Sequence, residues 1–177
     1  QLKKEGVIGG LIVTGCLTQR YQEEFLNELP EVDAAMGVGS GDDIVEAVLD
    51  VLNKGGKRAW FKEREANCLT GDRVLLTDPW CAYLRIAEGC DNKCAYCVIP
   101  SLRGKYRSRT MENVLAEAQK LADGGVKELI IIAQDITRYG IDLYGEKKLS
   151  ALLRELCKMD FHWIRLHYLY PDEIDDE

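Results

Sequence analysis

Three cysteines stand close together in the stretch GCDNKCAYC, at Cys90, Cys94 and Cys97. A structural zinc site closes its tetrahedron with four protein ligands, which usually come as two C-x-x-C pairs. Three thiolates on one loop can instead hold three irons of a 4Fe–4S cluster, because such clusters use cysteine ligands. The fourth iron then remains open to a small molecule. The spacing therefore predicts an iron–sulfur centre, and it leaves open a zinc site with Cys81 as the fourth ligand.

The composition is that of a globular protein with no membrane partner. The 177 residues carry a formal net charge of −7, and 46% of them are hydrophobic and 30% charged. An acidic chain argues against a large basic surface for nucleic acid, although a local basic patch is compatible with it. The aliphatic stretch 129–133 is far too short to span a bilayer.

The cysteine count indicates a reducing compartment. Seven cysteines, an odd number, are poorly explained by a disulfide framework in a chain of this length. The first residues, QLKKEGVIGG, have no apolar core followed by a cleavage site. We therefore expect a cytoplasmic protein. Because the chain opens on Gln1 at what resembles a helix end, we also expect a fragment.

The first part of the chain predicts a piece of a parallel α/β sheet, with elements in the order strand, helix, strand, helix. The corresponding stretches are GVIGGLIVTGC, QRYQEEFLNELP, VDAAMGVG and SGDDIVEAVLDVLNKGG. The first strand should end in a turn at residues 14–15, and the first helix should stop before Pro30. Ser40 is the expected N-cap of the second helix. Residues 56–80 show no sustained periodicity and are predicted to be a linker.

A second α/β run follows at residues 81–177. It predicts strands in CAYLRIAEG, VKELIIIAQD and HWIRLHYLYP, and helices in TMENVLAEAQKLADGG and KKLSALLRELCKMD. Thr110 should cap the first of these helices, and DEIDDE should begin a further one. The cysteine triplet falls in the loop after the first strand, where α/β barrels carry their active sites. The expected fold class is therefore α/β, with half of a barrel or open parallel sheet in this part.

The triplet has the form C-x-x-x-C-x-aromatic-C, which resembles the signature of the radical S-adenosylmethionine (SAM) family. The resemblance implies a (β/α) partial barrel, of which residues 81–177 would be the first half. It implies that the open iron binds the amino and carboxylate groups of SAM. An electron from the cluster would then cleave SAM to a 5′-deoxyadenosyl radical. Tyr96 fills the aromatic position, which makes it a candidate cofactor-binding residue.

Longer stretches resemble the methylthiotransferases of this family, and within them the RimO branch. They are VTGCLTQRY, IAEGCDNKCAYCVIPSLRGKYRSR, IIAQDITRYGIDLYG and LHYLYPDEI. The resemblance implies a transferase that adds a methylthio group to the β-carbon of an aspartate in a small-subunit ribosomal protein. It also implies an electron-donor protein as partner. The alternatives are a MiaB-like enzyme acting on a tRNA adenosine and, in another class, a zinc-stabilised interaction module without catalysis.

Cys16 has two interpretations. A lone cysteine at a strand end is most often a small buried hydrophobe. The resemblance instead implies the third ligand of a second 4Fe–4S cluster, which is held by the methylthiotransferase N-terminal domain and delivers sulfur. Residues 1–55 would be the C-terminal half of that domain. The other two ligands would then precede Gln1, and the later barrel strands and a TRAM domain would follow the chain.

Polar residues near the loop complete the candidate set. Gln134 and Asp135 end a buried strand, at the position where the resemblance implies contacts with SAM. The stretch RGKYRSR is either a solvated basic loop or an anchor for SAM or for a substrate near ribosomal RNA. Arg107 is its candidate cofactor-binding residue, and the other cations are Arg103, Lys105 and Arg109.

Overall fold

The structure, a computed structural model, describes residues 1–64, 73–76 and 78–173. The chain divides into two compact units, which are Gln1–Cys68 with Tyr96–Gly104, and Leu69–Ala95 with Lys105–Glu177. Among the described residues, no helix is both long and apolar enough to cross a bilayer.

The first unit contains a parallel sheet of three strands in the order β1-β2-β3. The strands are β1 (Ile12–Thr14), β2 (Ala34–Met36) and β3 (Arg58–Trp60). Helix α1 (Cys16–Glu28) joins β1 to β2. A 3₁₀ helix (Val38–Asp43) and α2 (Ile44–Lys54) join β2 to β3, and α3 (Ile99–Arg103) also belongs to this unit. Parallel neighbours need such crossover connections, so the predicted strand–helix alternation is confirmed.

The central strand β2 is buried along its whole length. Its small residues leave room for α1, whose Phe25 and Leu26 pack with Val32 and Ala35 in one apolar cluster. The burial of these side chains supplies the main stabilisation of this unit, at roughly 1.5–3 kcal/mol for each large one.

Three details of the first unit differ from the sequence-based expectation. Strand β3 lies within the range predicted to be a linker, and it pairs in parallel with β2. Helix α1 begins at Cys16, directly after the turn. The prediction that Ser40 caps a helix is wrong, because a 3₁₀ turn intervenes and α2 begins only at Ile44. The buried Ser40 hydroxyl instead accepts a hydrogen bond from the Lys62 amide at 3.0 Å.

The second unit is built on a parallel sheet in the order β4-β7-β8. In chain order its strands are β4 (Cys81–Arg85), β5 (Ala87–Glu88), β6 (Arg107–Ser108), β7 (Glu128–Ile132) and β8 (Trp163–Leu166). The short strands β5 and β6 pair antiparallel, which joins the two ends of the loop that carries the cysteine triplet. The predicted final helix spans residues 172–177, of which 172–173 belong to a 3₁₀ turn at Pro171–Glu173 and 174–177 lie outside the described residues.

The helices of the second unit are α4 (Met111–Asp123), α5 (Ile141–Tyr144) and α6 (Leu149–Leu156). The Thr110 hydroxyl accepts a hydrogen bond from the Asn113 amide at 3.3 Å, so the predicted N-cap is confirmed. One core joins α4 and α6 to the sheet through Val114, Leu121, Leu152, Leu156, Leu84, Leu129 and Ile131. Parallel strands alternating with packed helices confirm the α/β class and fit the first half of a (β/α) barrel.

Candidate functional site

The cysteine loop leaves the sheet at the carboxyl end of β4 and β5. Gly89 follows β5 directly with a φ of 79°, a left-handed conformation that glycine adopts without steric cost. Cys90 comes next and is buried, while Cys94 and Cys97 are half-buried. The β5–β6 pair places this loop at the end of the sheet where α/β barrels hold their ligands.

The three cysteine thiols of the loop are the kind of ligand that an iron–sulfur cluster requires. The cysteines of the described residues form no disulfide, and Cys68 lies outside them. Within those same ranges, no three His, Cys, Asp or Glu side chains come together as metal ligands would. The Cys94 thiol is 3.4 Å from the Tyr170 hydroxyl. The three reduced thiols therefore match the type and sequence spacing that a cluster needs, without being gathered around a metal position.

Cys81 lies in an unsuitable place for the zinc alternative. It is the first residue of β4, and the cysteine loop follows the other end of that strand. Four residue steps along a strand separate its ends by about 13 Å. Burial, followed by the nearby Glu128 charge, raises the pKa of the Cys81 thiol, which disfavours the thiolate that zinc requires.

Gln134 and Asp135 follow β7 and both contact the cysteine loop. The Gln134 Oε1 atom accepts a hydrogen bond from the Gly89 amide at 2.6 Å. Asp135 is 1% exposed, and its Oδ2 atom accepts from the Asn92 side chain at 3.0 Å. These two candidates therefore lie beside the loop, as expected for the ends of neighbouring parallel strands. Their contact with SAM stays a prediction.

The basic stretch contains arginines with different surroundings. Arg107 is half-buried in β6, and one of its Nη atoms donates to the Lys105 carbonyl at 3.0 Å. Arg109 is 5% exposed, donates to the Arg85 carbonyl at 2.7 Å, and pairs with Glu117 at 2.6 Å. Arg109 is thus a structural cation inside the unit, and neither interpretation of the basic loop applies to it.

Tyr96 and Cys16, both in the first unit, differ in exposure. Tyr96 is 93% exposed. Cys16 is the first residue of α1 and is half-buried. The Thr18 hydroxyl contacts the Gly15 carbonyl at 2.8 Å and the Met36 carbonyl at 2.5 Å, which ties the start of α1 to the carboxyl edge of the sheet. Ligands of open α/β sheets bind at that edge, so the position is compatible with a ligand role for Cys16.

Several residues of the site were missed in the sequence. Asn92, between the first two cysteines, contacts Asp135 and also accepts from Arg138 at 3.3 Å. The Asp91 carboxylate accepts from the Tyr106 amide at 3.0 Å. A hydrogen bond with Cys94, together with its charge, raises the pKa of Tyr170 to about 12. The sequence did indicate a structural role for Asp91 and Asn92, because Asp and Asn side chains in loops commonly form hydrogen bonds with nearby backbone groups.

Comparison with known proteins places the chain among radical SAM proteins. The model of the radical SAM superfamily matches residues 84–177. The chain is 52% identical over its full length to the ribosomal protein uS12 methylthiotransferase RimO of Lachnoclostridium phytofermentans and covers 40% of that protein. It is 52% identical to the Clostridium perfringens RimO, over 94% of the chain and 38% of the relative. It is 51% identical over its whole length to the Clostridioides difficile RimO and covers 40% of that protein.

The matched region contains the site described above. It begins within β4, includes the loop of Cys90, Cys94 and Cys97, and continues through β7 and β8. The family model covers more than half of the chain. The order of parallel strands and helices, the reduced thiols and the family match agree, and the chain belongs to the radical SAM superfamily.

Proposed function

We propose that the chain is part of a cytoplasmic methylthiotransferase that modifies the β-carbon of an aspartate in ribosomal protein uS12. The supporting observation is the loop after β4 and β5, whose reduced thiols Cys90, Cys94 and Cys97 lie in a chain 52% identical to RimO over its full length. The chain spans 38–40% of the length of these relatives, so the activity belongs to a larger protein.

In this proposal Cys90, Cys94 and Cys97 hold a 4Fe–4S cluster as thiolates. When bound, such a cluster with SAM supplies a radical able to remove hydrogen from carbon. The aspartate β-carbon has no leaving group and resists ionic substitution, which explains the need for that chemistry. The chain itself contributes the thiolates, of which that of Cys90 is buried.

Cys16 is proposed to contribute to a second 4Fe–4S cluster, which supplies sulfur. Four further residues are proposed to line the SAM site. They are Tyr96, Arg107, Gln134 and Asp135. SAM would also supply the methyl group, and an electron-donor protein would reduce the enzyme. The two clusters and the donor follow from the methylthiotransferase resemblance.

A protein substrate is favoured over tRNA by the charge of the chain. RNA recognition needs a basic groove that tracks the phosphates, whereas the net charge here is −7. An aspartate substrate needs a cation for its carboxylate while the adjacent carbon reacts. Arg107 in β6 and Arg138 after β7 are proposed as candidate cations for that carboxylate.

The test is anaerobic reconstitution of the full-length protein with single cysteine variants. Cys90→Ala, Cys94→Ala and Cys97→Ala should each abolish 5′-deoxyadenosine formation from SAM, because each removes one iron ligand. Cys16→Ala should retain that activity, lose roughly half of the iron and yield no methylthiolated product. Cys157→Ala, which removes an exposed thiol, is the matched control and should behave as the wild type.

Three results would each contradict a part of the proposal. A colourless wild-type protein with stoichiometric zinc would point to an interaction module without catalysis. Wild-type 5′-deoxyadenosine production by any variant of the triplet would remove that cysteine from the ligand set. Normal iron and product in Cys16→Ala would identify Cys16 as a core thiol.

A further inference from the structure

The turn after β7, residues 134–138, makes side-chain contacts with the first half of the cysteine loop. Gln134 accepts from the Gly89 amide at 2.6 Å. The Asn92 side chain donates to Asp135 at 3.0 Å and accepts from Arg138 at 3.3 Å. These contacts hold the loop on both sides of Cys90 and two residues before Cys94.

The Asp135 carboxylate is committed to contacts within the protein. Its Oδ1 atom accepts from the Thr137 amide at 3.0 Å and from the Thr137 hydroxyl, and its Oδ2 atom accepts from Asn92. Because Asp135 is 1% exposed, it depends on these donors for the solvation that water would otherwise give. Breaking the Asn92 contact would leave a buried carboxylate oxygen without that donor.

The orientation of the Asn92 amide is determined from two sides. Its NH₂ group faces a carboxylate and its oxygen faces a guanidinium. Rotating the amide by half a turn would place oxygen against carboxylate and NH₂ against guanidinium, which is unfavourable at both ends. Asn92 therefore has one preferred conformation, and the backbone between Cys90 and Cys94 is restrained with it.

The turn is itself fixed in the core of the second unit. Ile136 and Tyr139 are fully buried, and the Ile136 amide donates to the Tyr168 carbonyl at 3.1 Å. The Tyr139 carbonyl accepts from the Lys148 amide at 2.8 Å. A loop that is hydrogen-bonded to this buried turn is held in one position, whereas a loop surrounded by solvent would sample many conformations.

We propose that Asn92 and Asp135 are positioning residues that fix the backbone between Cys90 and Cys94 beside the turn after β7. This inference rests on the proposed function, since it assumes that the loop carries a cluster. It gives the Asp135 carboxylate a role in holding the protein loop, in addition to its proposed place in the lining of the SAM site. Because Asn92 and Asp135 contact each other, the position of the loop should depend on the complementarity of the two side chains and not on either one alone.

The test is an exchange of the two side chains in the full-length protein. Asn92→Asp places two carboxylates face to face, and Asp135→Asn forces an amide mismatch with Asn92 or with Arg138. The double variant Asn92→Asp/Asp135→Asn restores the contact between positions 92 and 135 and the contacts of this pair with Thr137 and Arg138. The amide introduced at position 135 then accepts from Thr137 and donates to the carboxylate introduced at position 92, whose second oxygen accepts from Arg138. Asn27→Asp, at an exposed position of α1, is the control for the added charge.

The first measurement is alkylation of the cluster-free protein, followed at each cysteine by mass spectrometry. Each single variant should raise the rate at Cys90 about tenfold, as expected for the loss of a buried hydrogen bond. Cys81, in β4, should not change, which distinguishes release of the loop from unfolding. After reconstitution, the single variants should hold less iron and sulfide, and the double variant should recover both values to within about twofold of wild type.

Each other outcome overturns a defined part of the inference. Unchanged labelling and iron in both single variants would show that the contact does not position the loop. Two defective single variants without rescue in the double variant would assign the Asp135 carboxylate to another partner. If Cys81 labelling also rises, the variant Gln134→Met provides the second test, because it removes only the hydrogen bond with the Gly89 amide. Unchanged Cys90 labelling in Gln134→Met would then refute positioning of the loop by the turn. A wild-type protein without iron would refute the proposed function, and the labelling data would still test the contact.

Discussion

At the scale of single residues, Arg109 shows how tertiary contacts change the role of a charge. It belongs to a basic stretch in the sequence, yet its side chain is 4% exposed and lies 2.6 Å from Glu117. It also donates to the Asn113 side chain at 2.7 Å. A cation in this setting stabilises its unit because the surrounding acceptors replace its hydration.

We expect Arg109→Met to destabilise the protein by about 2–4 kcal/mol, because Glu117 loses a buried partner. Urea unfolding of the full-length cluster-free protein, followed by circular dichroism, measures this change. Lys158→Met is the control, since Lys158 and Glu155 form an exposed pair that should contribute less than about 1 kcal/mol. Equal effects of the two substitutions would contradict the structural role of Arg109.

Asp33 is a residue whose contribution should depend on pH. Burial opposes ionisation, but the hydrogen bonds from Lys3 at 2.6 Å and from the Leu11 amide at 2.7 Å outweigh it and lower the pKa of Asp33. A carboxyl group with a lowered pKa in the folded state stabilises it above the unfolded pKa, which is about 3.9. That stabilisation is lost as the pH falls through the folded pKa.

Asp33→Asn should therefore lower the urea midpoint at pH 7 and have a smaller effect at a pH below the lowered folded-state pKa of Asp33, where Asp33 itself is protonated. The measurement compares the two proteins at both pH values in the cluster-free state. The same difference in midpoint at both pH values would contradict ionisation of Asp33 as the cause.

At the scale of elements, α4 depends on its N-cap. The Thr110 hydroxyl accepts from the Asn113 amide, and Val114, Ala118 and Leu121 of the same helix are in the core. We expect Thr110→Ala to cost about 1 kcal/mol and Thr110→Ser to cost much less, because serine keeps the acceptor. Urea unfolding distinguishes the two variants. Equal losses would show that the threonine methyl group, rather than the cap, stabilises this position.

Helices and strands were predicted correctly where their hydrophobic pattern extended over many residues. The α4 and β7 stretches were identified because an amphipathic period and a continuous aliphatic run are strong signals. The short β3, α3 and α5 were missed. Elements of so few residues have no period of their own, and β3 exists because it pairs with the buried β2.

At the scale of the whole molecule, the proposed substrate can be tested in cells. Deleting the gene should remove the mass of one methylthio group from ribosomal protein uS12 and leave tRNA methylthioadenosine unchanged. Mass spectrometry of ribosomal proteins and of nucleoside digests from the same culture measures both. Loss of the tRNA nucleoside with an unchanged ribosomal protein would contradict the proposal of a protein substrate. It would remain compatible with the proposed radical chemistry.

The sequence by itself determined the family and indicated the type of chemistry that is proposed here. The spacing of Cys90, Cys94 and Cys97, with the longer motifs around it, indicated a radical SAM methylthiotransferase, and the family match and the RimO relatives confirmed that resemblance. Local patterns are enough for this, because cluster ligands lie on one loop and the alternation of strands and helices follows from local periodicity.

Only the tertiary structure decided which polar residues surround that loop. It placed Asp135 and Asn92 in contact across 43 positions of sequence and buried Arg109 against Glu117. Sequence patterns do not report such pairs, because parallel strands bring together residues separated by a whole crossover helix. The identity of the thiol ligands is thus a local property of the chain, whereas the contacts that hold their loop arise from the register of β4 and β7.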